Sequence, residues 1–278
     1  MHFPKYWAKG TRDGLSVWRW SDSSVTDARA KAEEAVERLI SRFKDGVLSK
    51  KHYAYADRPL MEPVVREVGV GSGDGKAVIT RNRYGALVLN TDKVMFVDVD
   101  MPDEPISLGG MLKSLLGRKG TEWEQKHEAA LLEKAEAWVN AHQGWGWRIY
   151  RTRAGFRLIA THDLFDPRSG ETWAVFEALR ADPLYRKLCE TQKCFRARLT
   201  PKPWRCGMDK PGVTWPFEDG RAEAVFAKWE MEYAEKIGGK ATCSLIRSIG
   251  SQWAHAVVSG VVDIHDSMTK ATSGLPLA

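Results

Sequence analysis

The run Lys93-Val-Met-Phe-Val-Asp-Val-Asp100 constrains this chain more than any other stretch: it is apolar until it ends in two carboxylates. Side chains of a strand alternate between faces, so Asp98 and Asp100 fall on the same side. Paired negative charge at that spacing calls for a cation, and Mg²⁺ or Mn²⁺, which take oxygen ligands and in turn grip phosphates, are the expected ones. Asp98 and Asp100 are therefore the candidate catalytic and metal-binding residues. The plainer reading is a pair of solvated acids at a strand end, because Met101-Pro102-Asp103 is turn chemistry.

The elements after Lys93 have a diagnostic order. The strand Val94 to Asp100 is followed by a loop with Gly109-Gly110 and Gly117-Arg-Lys-Gly120. A helix with Leu131, Leu132, Ala135, Trp138 and Val139 on its apolar face comes next. Two strands, Gly146 to Thr152 and Phe156 to Thr161, flank a tight Arg153-Ala154-Gly155 turn. A helix over Glu171 to Leu179, with a possible second one after Asp182-Pro183, precedes a last strand from Cys194 to Leu199. This β-α-β-β-α-β order predicts an α+β fold built on a ferredoxin-like, or RRM-like, sheet with both helices on one face. In that plan the first and third strands are central neighbours and the fourth lies beside the first. Phe96, Asp98 and Asp100 would then line the open face, with Arg196 and Arg198 near the acids.

Around this unit, residues 1–92 read as an N-terminal region packed on it. Trp18-Arg-Trp20 suggests a short strand. Ala28, Ala32, Val36, Leu39 and Ile40 mark a helix after Ser23-Ser24, with Gly46 as its stop. Val64 to Val70 and Ala77 to Arg83 form a hairpin across Gly71-Ser-Gly-Asp-Gly75. Gly75-Lys76 is no phosphate-binding loop, because Val70 stands where its first glycine should be and Ala77 where Ser or Thr should follow. Residues 93–210 form the central unit and residues 211–278 a helical C-terminal extension, with a helix around Val225, Phe226, Trp229 and Tyr233. The stretch from Cys243 resists assignment, although Ala254 to Lys270 has helical spacing in places.

A formal charge of +6 over 278 residues is compatible with a nucleic-acid or nucleotide partner. Its distribution says more: Arg148, Arg151, Arg153 and Arg157, and again Arg196, Arg198, Lys202 and Arg205, fall in two stretches without acids. No segment approaches a membrane span, and the four cysteines are too few for a disulfide scaffold, so no membrane partner and a cytoplasmic location are expected. Cys189, Cys194, Cys206 and Cys243 include no Cys-x₂-Cys knuckle, which favours buried thiols over a zinc site. Most of the twelve tryptophans are expected to fill the core.

An open ferredoxin-like sheet with Asp-x-Asp on its first strand resembles the palm of the archaeo-eukaryotic primase superfamily. Phe96-Val97-Asp98-Val99-Asp100 matches that family's first motif, and Thr152-Arg-Ala-Gly-Phe-Arg-Leu158 occupies the place of the second, with Arg157 where the family has a histidine. The resemblance covers about residues 93 to 210. It implies nucleotidyl transfer with Mg²⁺ or Mn²⁺, with Phe195-Arg-Ala-Arg-Leu-Thr-Pro-Lys202 holding triphosphate or template. It also implies a third acid: Met208-Asp209 fits the pattern in order, and Asp182 is the other candidate. The residues expected to bind nucleotide or nucleic acid are Arg153, Arg157, Arg196, Arg198, Lys202 and Arg205. The partners implied are a nucleoside triphosphate and DNA or RNA.

The competing class is a binder without catalysis, on a degenerate palm or on an RNA-recognition sheet that presents aromatics from its first and third strands. Against the latter, Arg157 replaces a stacking aromatic, and Asp98 and Asp100 would repel a phosphate backbone. An Asp-x-Asp phosphohydrolase would place the motif near the start of its fold and usually follow it with Gly-Thr, not Met101-Pro102.

Overall fold

The computed structural model describes residues 1–44, 59–71, 75–102 and 121–278 of an α+β protein. The Gly46 stop, the middle of the Gly71–Gly75 connection, and the loop with Gly109, Gly110, Gly117 and Gly120 lie outside the described residues. In chain order the elements are β1 (Tyr6–Arg12), β2 (Leu15–Ser21), α1 (Val25–Lys44), β3 (Val64–Gly69), β4 (Lys76–Arg81) and β5 (Leu87–Thr91). There follow β6 (Phe96–Asp100), α2 (Thr121–Ala141), β7 (Gly146–Thr152), β8 (Gly155–Ala160), α3 (Gly170–Ala178), α4 (Pro183–Gln192) and β9 (Phe195–Arg198). A 3₁₀ turn (Pro203–Cys206), α5 (Gly220–Lys236), β10 (Cys243–Gly250) and α6 (Ala256–Thr269) complete the chain. No helix among the described residues is long and apolar enough to cross a membrane.

Strands β1 and β2 form a hairpin closed by Asp13 and Gly14, whose φ values of 50° and 76° suit a two-residue turn. Helix α1 lays Ala35 and Val36 against Val17, with Leu15, Leu39 and Ile40 around them, which gives this corner an apolar cluster of its own. The larger core draws on Ile79, Leu89, Phe96, Leu131, Trp147, Phe195 and Val258. All three expected segments therefore share it.

Two four-stranded antiparallel sheets carry that core, in the orders β3-β4-β5-β9 and β10-β7-β8-β6. The expected neighbours β6 and β8 are paired. The expected placement of β9 beside β6 is corrected: β9 pairs with β5, Phe195 opposite Thr91 and Arg198 opposite Val88. Strand β5 was not anticipated from the sequence, so no competitor for β9 was in view. Where a β6–β9 ladder would run, side chains make the joint. The Tyr185 hydroxyl donates to the Phe96 carbonyl at 2.9 Å and accepts from the Arg196 amide at 3.3 Å, and Arg157 Nη1 donates to the Arg198 carbonyl at 3.0 Å.

The expectation of an open sheet face also needs correction. The C-terminal segment is not purely helical: β10 extends the sheet along β7, and α6 returns over the face that bears Phe96 and Arg157. His265 of α6 has its ring 5.8 Å from Phe96 and 4.7 Å from Tyr150. Phe96 is fully buried, so the aromatics an RNA-recognition sheet would present are covered. Only the Asp100 end of β6 reaches solvent.

Gly155 faces Asp100 in the β6–β8 ladder, and a Cβ there would lie 2.1 Å from the Val99 carbonyl oxygen. Gly155→Ala is expected to destabilise the fold by about 2 kcal/mol in urea unfolding, as other overpacked sites do. Gly170→Ala, where a Cβ meets nothing within 4 Å, serves as the neutral control.

Candidate functional site

The register of β6 against β8 sets Arg157 directly opposite Asp98. The pair is bidentate, Nε to Oδ1 at 2.8 Å and Nη2 to Oδ2 at 3.2 Å. The Arg157 side chain is 3 % exposed and that of Asp98 31 %, so the carboxylate keeps an outer edge towards solvent. Burial lowers the Arg157 pKa, but the Asp98 charge and its hydrogen bonds outweigh it, and the guanidinium is held charged.

Two further carboxylates stand close by. Asp182 caps α4, accepting from the Leu184 and Tyr185 amides at 3.1 Å each, while Pro183 fills the first helical position. Its own amide donates to the Asp98 carbonyl at 2.9 Å, which fixes the start of α4 to β6. Asp100 has no ion pair among the described residues. Burial, with the charges of Asp182 and Asp98, raises its pKa, against the pull of Lys202 and Arg198.

These acids line a cleft of about 860 Å³ together with the cations Arg83, Arg198, Lys202, Arg205 and Lys210. Arg198 Nε and Arg205 Nη1 are buried without a hydrogen-bond partner, and neither these residues nor Lys202 has an ion pair among the described residues. Burial lowers the Lys202 and Arg205 pKa values, and the neighbouring cations push the same way, Arg198 and Arg205 on Lys202, Arg198 and Arg153 on Arg205, against the pull of Asp100 on both. Such mutual repulsion is relieved by an anion of several charges.

Of the other expected binding residues, Arg196 lines the cleft, but its Nη2 holds both Glu62 oxygens at 2.8 and 2.7 Å, and Thr80 donates to the same carboxylate at 2.6 Å. Its charge is thus already matched. Arg148 is paired with Asp266 and Arg151 with Glu124, so remote segments supply the acids this stretch lacks. Arg153 is exposed and stands outside the cleft wall. So does Asp209, whose carbonyl accepts from the Trp229 indole; Asp182 and Glu62 are the acids that line the cleft besides Asp98 and Asp100.

A divalent ion was expected on Asp98, Asp100 and Asp209. No group of three or more His, Cys, Asp or Glu side chains able to share one occurs among the described residues. The donors that fit are the Asp100 carboxylate and the outer edge of Asp98. One or two carboxylates completed by phosphate oxygens and water is the usual donor set for Mg²⁺. The cysteines are free; Cys189, Cys194 and Cys243 are buried.

The sequence reading missed Glu62, Asp266 and His265. His265 Nδ1 lies 2.9 Å from Asp266 Oδ1, which makes Nδ1 the donor and leaves Nε2 as an acceptor 3.4 Å from Arg157 Nη1. Asp266 also accepts from Tyr150 at 2.7 Å and from Arg148 Nη2 at 2.6 Å. Cys243 Sγ is 3.9 Å from His265 Nε2, but burial raises that thiol to about 11, and neither group borders the cleft. This cluster supports Arg157 from behind. The signal for it was His265-Asp266 itself, a histidine directly followed by a carboxylate in a helix rich in valine.

No protein-family model, no curated protein and no solved structure matches this chain. The cleft's own chemistry therefore carries the functional argument.

Burial pushes His265 down to about 4, so the folded protein holds it neutral where the unfolded chain, near 6.5, takes up a proton. Its contribution is complete above pH 6.5 and is lost as pH falls towards 4. Over that window the wild type is expected to lose about 3 kcal/mol more than His265→Gln, measured as urea unfolding free energy at stepped pH.

Proposed function

We propose that the cleft binds the phosphates of a nucleotide or nucleic acid beside a divalent ion and catalyses nucleotidyl transfer, in the manner of a primase-polymerase. One observation carries the reading: Arg198, Lys202 and Arg205, none of them in an ion pair among the described residues, line the same cleft as the equally unpaired Asp100, and that cleft is large enough for a nucleotide. In this reading the order β6-α2-β7-β8-α3-α4-β9 is a primase-type palm whose last strand is held by β5.

Arg198, Lys202 and Arg205 bind the triphosphate and draw off charge as pyrophosphate leaves. Asp100 and the free edge of Asp98 would hold Mg²⁺ or Mn²⁺, which would supply Lewis-acid stabilisation of the phosphoryl oxygens and lower the pKa of an attacking 3′-hydroxyl. Arg157 fixes the Asp98 carboxylate in one orientation and, as an arginine, exchanges no proton near neutral pH. The bidentate grip of Arg157 on Asp98 favours a second reading, in which the same cleft binds its ligand without turnover.

The two separate at Asp100. Asp98→Asn leaves a buried guanidinium without its counter-charge, so its effect mixes folding with function. Asp100→Asn removes a repelled carboxylate, and its unfolding midpoint at pH 7 is expected to be no lower than wild type. The same variant is expected to weaken Mn²⁺ binding and to reduce template-directed or terminal nucleotide addition at least 100-fold. Wild-type-like addition by Asp100→Asn overturns the catalytic reading. If the wild type adds no nucleotide but Arg198→Ala weakens triphosphate binding, the second reading holds.

A further inference from the structure

Trp204 is an apolar ring that the cleft chemistry above does not use. It lies in the 3₁₀ turn Pro203–Cys206, between Lys202 and Arg205, both of which line the cleft. It remains 52 % exposed. Tyr84, which lines the cleft as Trp204 itself does not, meets it edge-on with centroids 5.3 Å apart and planes at 66°. The Lys202 ammonium stands 5.4 Å from the ring centre. Trp253 is more exposed, at 62 %, but its ring neighbour is His255 and not a cleft side chain.

The segment that presents Trp204 is held from behind. The Tyr233 hydroxyl lies 2.9 Å from Thr200 Oγ1 and donates to the Pro201 carbonyl, and the Trp229 indole donates to the Asp209 carbonyl at 2.9 Å. Pro201 and Pro203 restrict the backbone on the near side of the ring. Little ordering is left to lose when a ligand lands on it. A rigid, half-bare indole beside unpaired guanidinium groups is the chemistry that takes a single nucleic-acid strand, cations following the phosphates and the ring receiving a base face. In a duplex those faces are already covered by neighbouring bases.

We propose that Trp204 is a stacking platform for an unpaired base of a single-stranded nucleic acid whose phosphates lie on Arg198, Lys202 and Arg205. The proposal rests on the phosphate-binding reading of the cleft and specifies its ligand as a polymer with exposed bases.

The test is fluorescence anisotropy with labelled oligo-dT and oligo-rU of about 12 nucleotides, a duplex of equal length, and a nucleoside triphosphate. Trp204→Ala is expected to weaken binding of at least one single strand about tenfold, the loss of one aromatic–base stack, with unchanged duplex binding, triphosphate binding and unfolding midpoint. Trp204→Tyr is expected to retain most of the affinity. Wild-type affinity in Trp204→Ala, an equal loss for duplex, or no binding of either single strand by the wild type overturns the proposal. If Arg198→Ala and Arg205→Ala weaken strand and triphosphate binding while Trp204→Ala does not, the platform alone falls. If the arginine variants also change nothing, the cleft reading falls with it.

Discussion

The Asp98–Arg157 pair is the interaction on which the arrangement of this molecule turns. A guanidinium that is 3 % exposed needs a partner on every side that carries N–H groups. Arg157 finds Asp98 across the ladder, the Arg198 carbonyl on the neighbouring sheet and His265 on α6. One side chain thus joins β6, β9 and the C-terminal helix. Breaking such a buried pair from one side typically costs about 3 to 5 kcal/mol, because the remaining charge has no water to turn to. The same contact decides how much of Asp98 is left for chemistry.

Charge elsewhere divides into arginines paired by acids from remote segments and cleft cations without an ion pair among the described residues. Glu62 quiets Arg196, Asp266 quiets Arg148, and Glu124 quiets Arg151. Arg198, Lys202 and Arg205 receive no such partner among the described residues, although they share the cleft with Asp100 and Asp182. Asp100 attracts Lys202 and Arg205, yet burial and the repulsion among the cations outweigh that attraction.

What could be read from the sequence was local. Period-two alternation put Asp98 and Asp100 on one face, the Arg153-Ala154 turn gave the β7–β8 hairpin, and Asp182-Pro183 marked the start of α4. The Asp13-Gly14 turn went unread, because β1 ends in the polar run Lys9-Gly-Thr-Arg12. Strand β10 escaped because its register shifts between Leu245 and Arg247, which breaks the alternation a strand is recognised by. The partner of β9 and the acid for Arg196 escaped for a different reason. Glu62 lies 134 positions from Arg196, and nothing in local periodicity encodes a contact of that range.

The joint between the two large sheets has a consequence of its own. Backbone ladders form whatever residues they carry, but here Tyr185 and Arg157 stand in for rungs between β6 and β9. The spacing of the cleft's walls is accordingly written in side-chain identity. Drift at either residue would alter the geometry offered to a ligand, so selection for that geometry would bear on Tyr185 even if it never contributed a bond to anything bound.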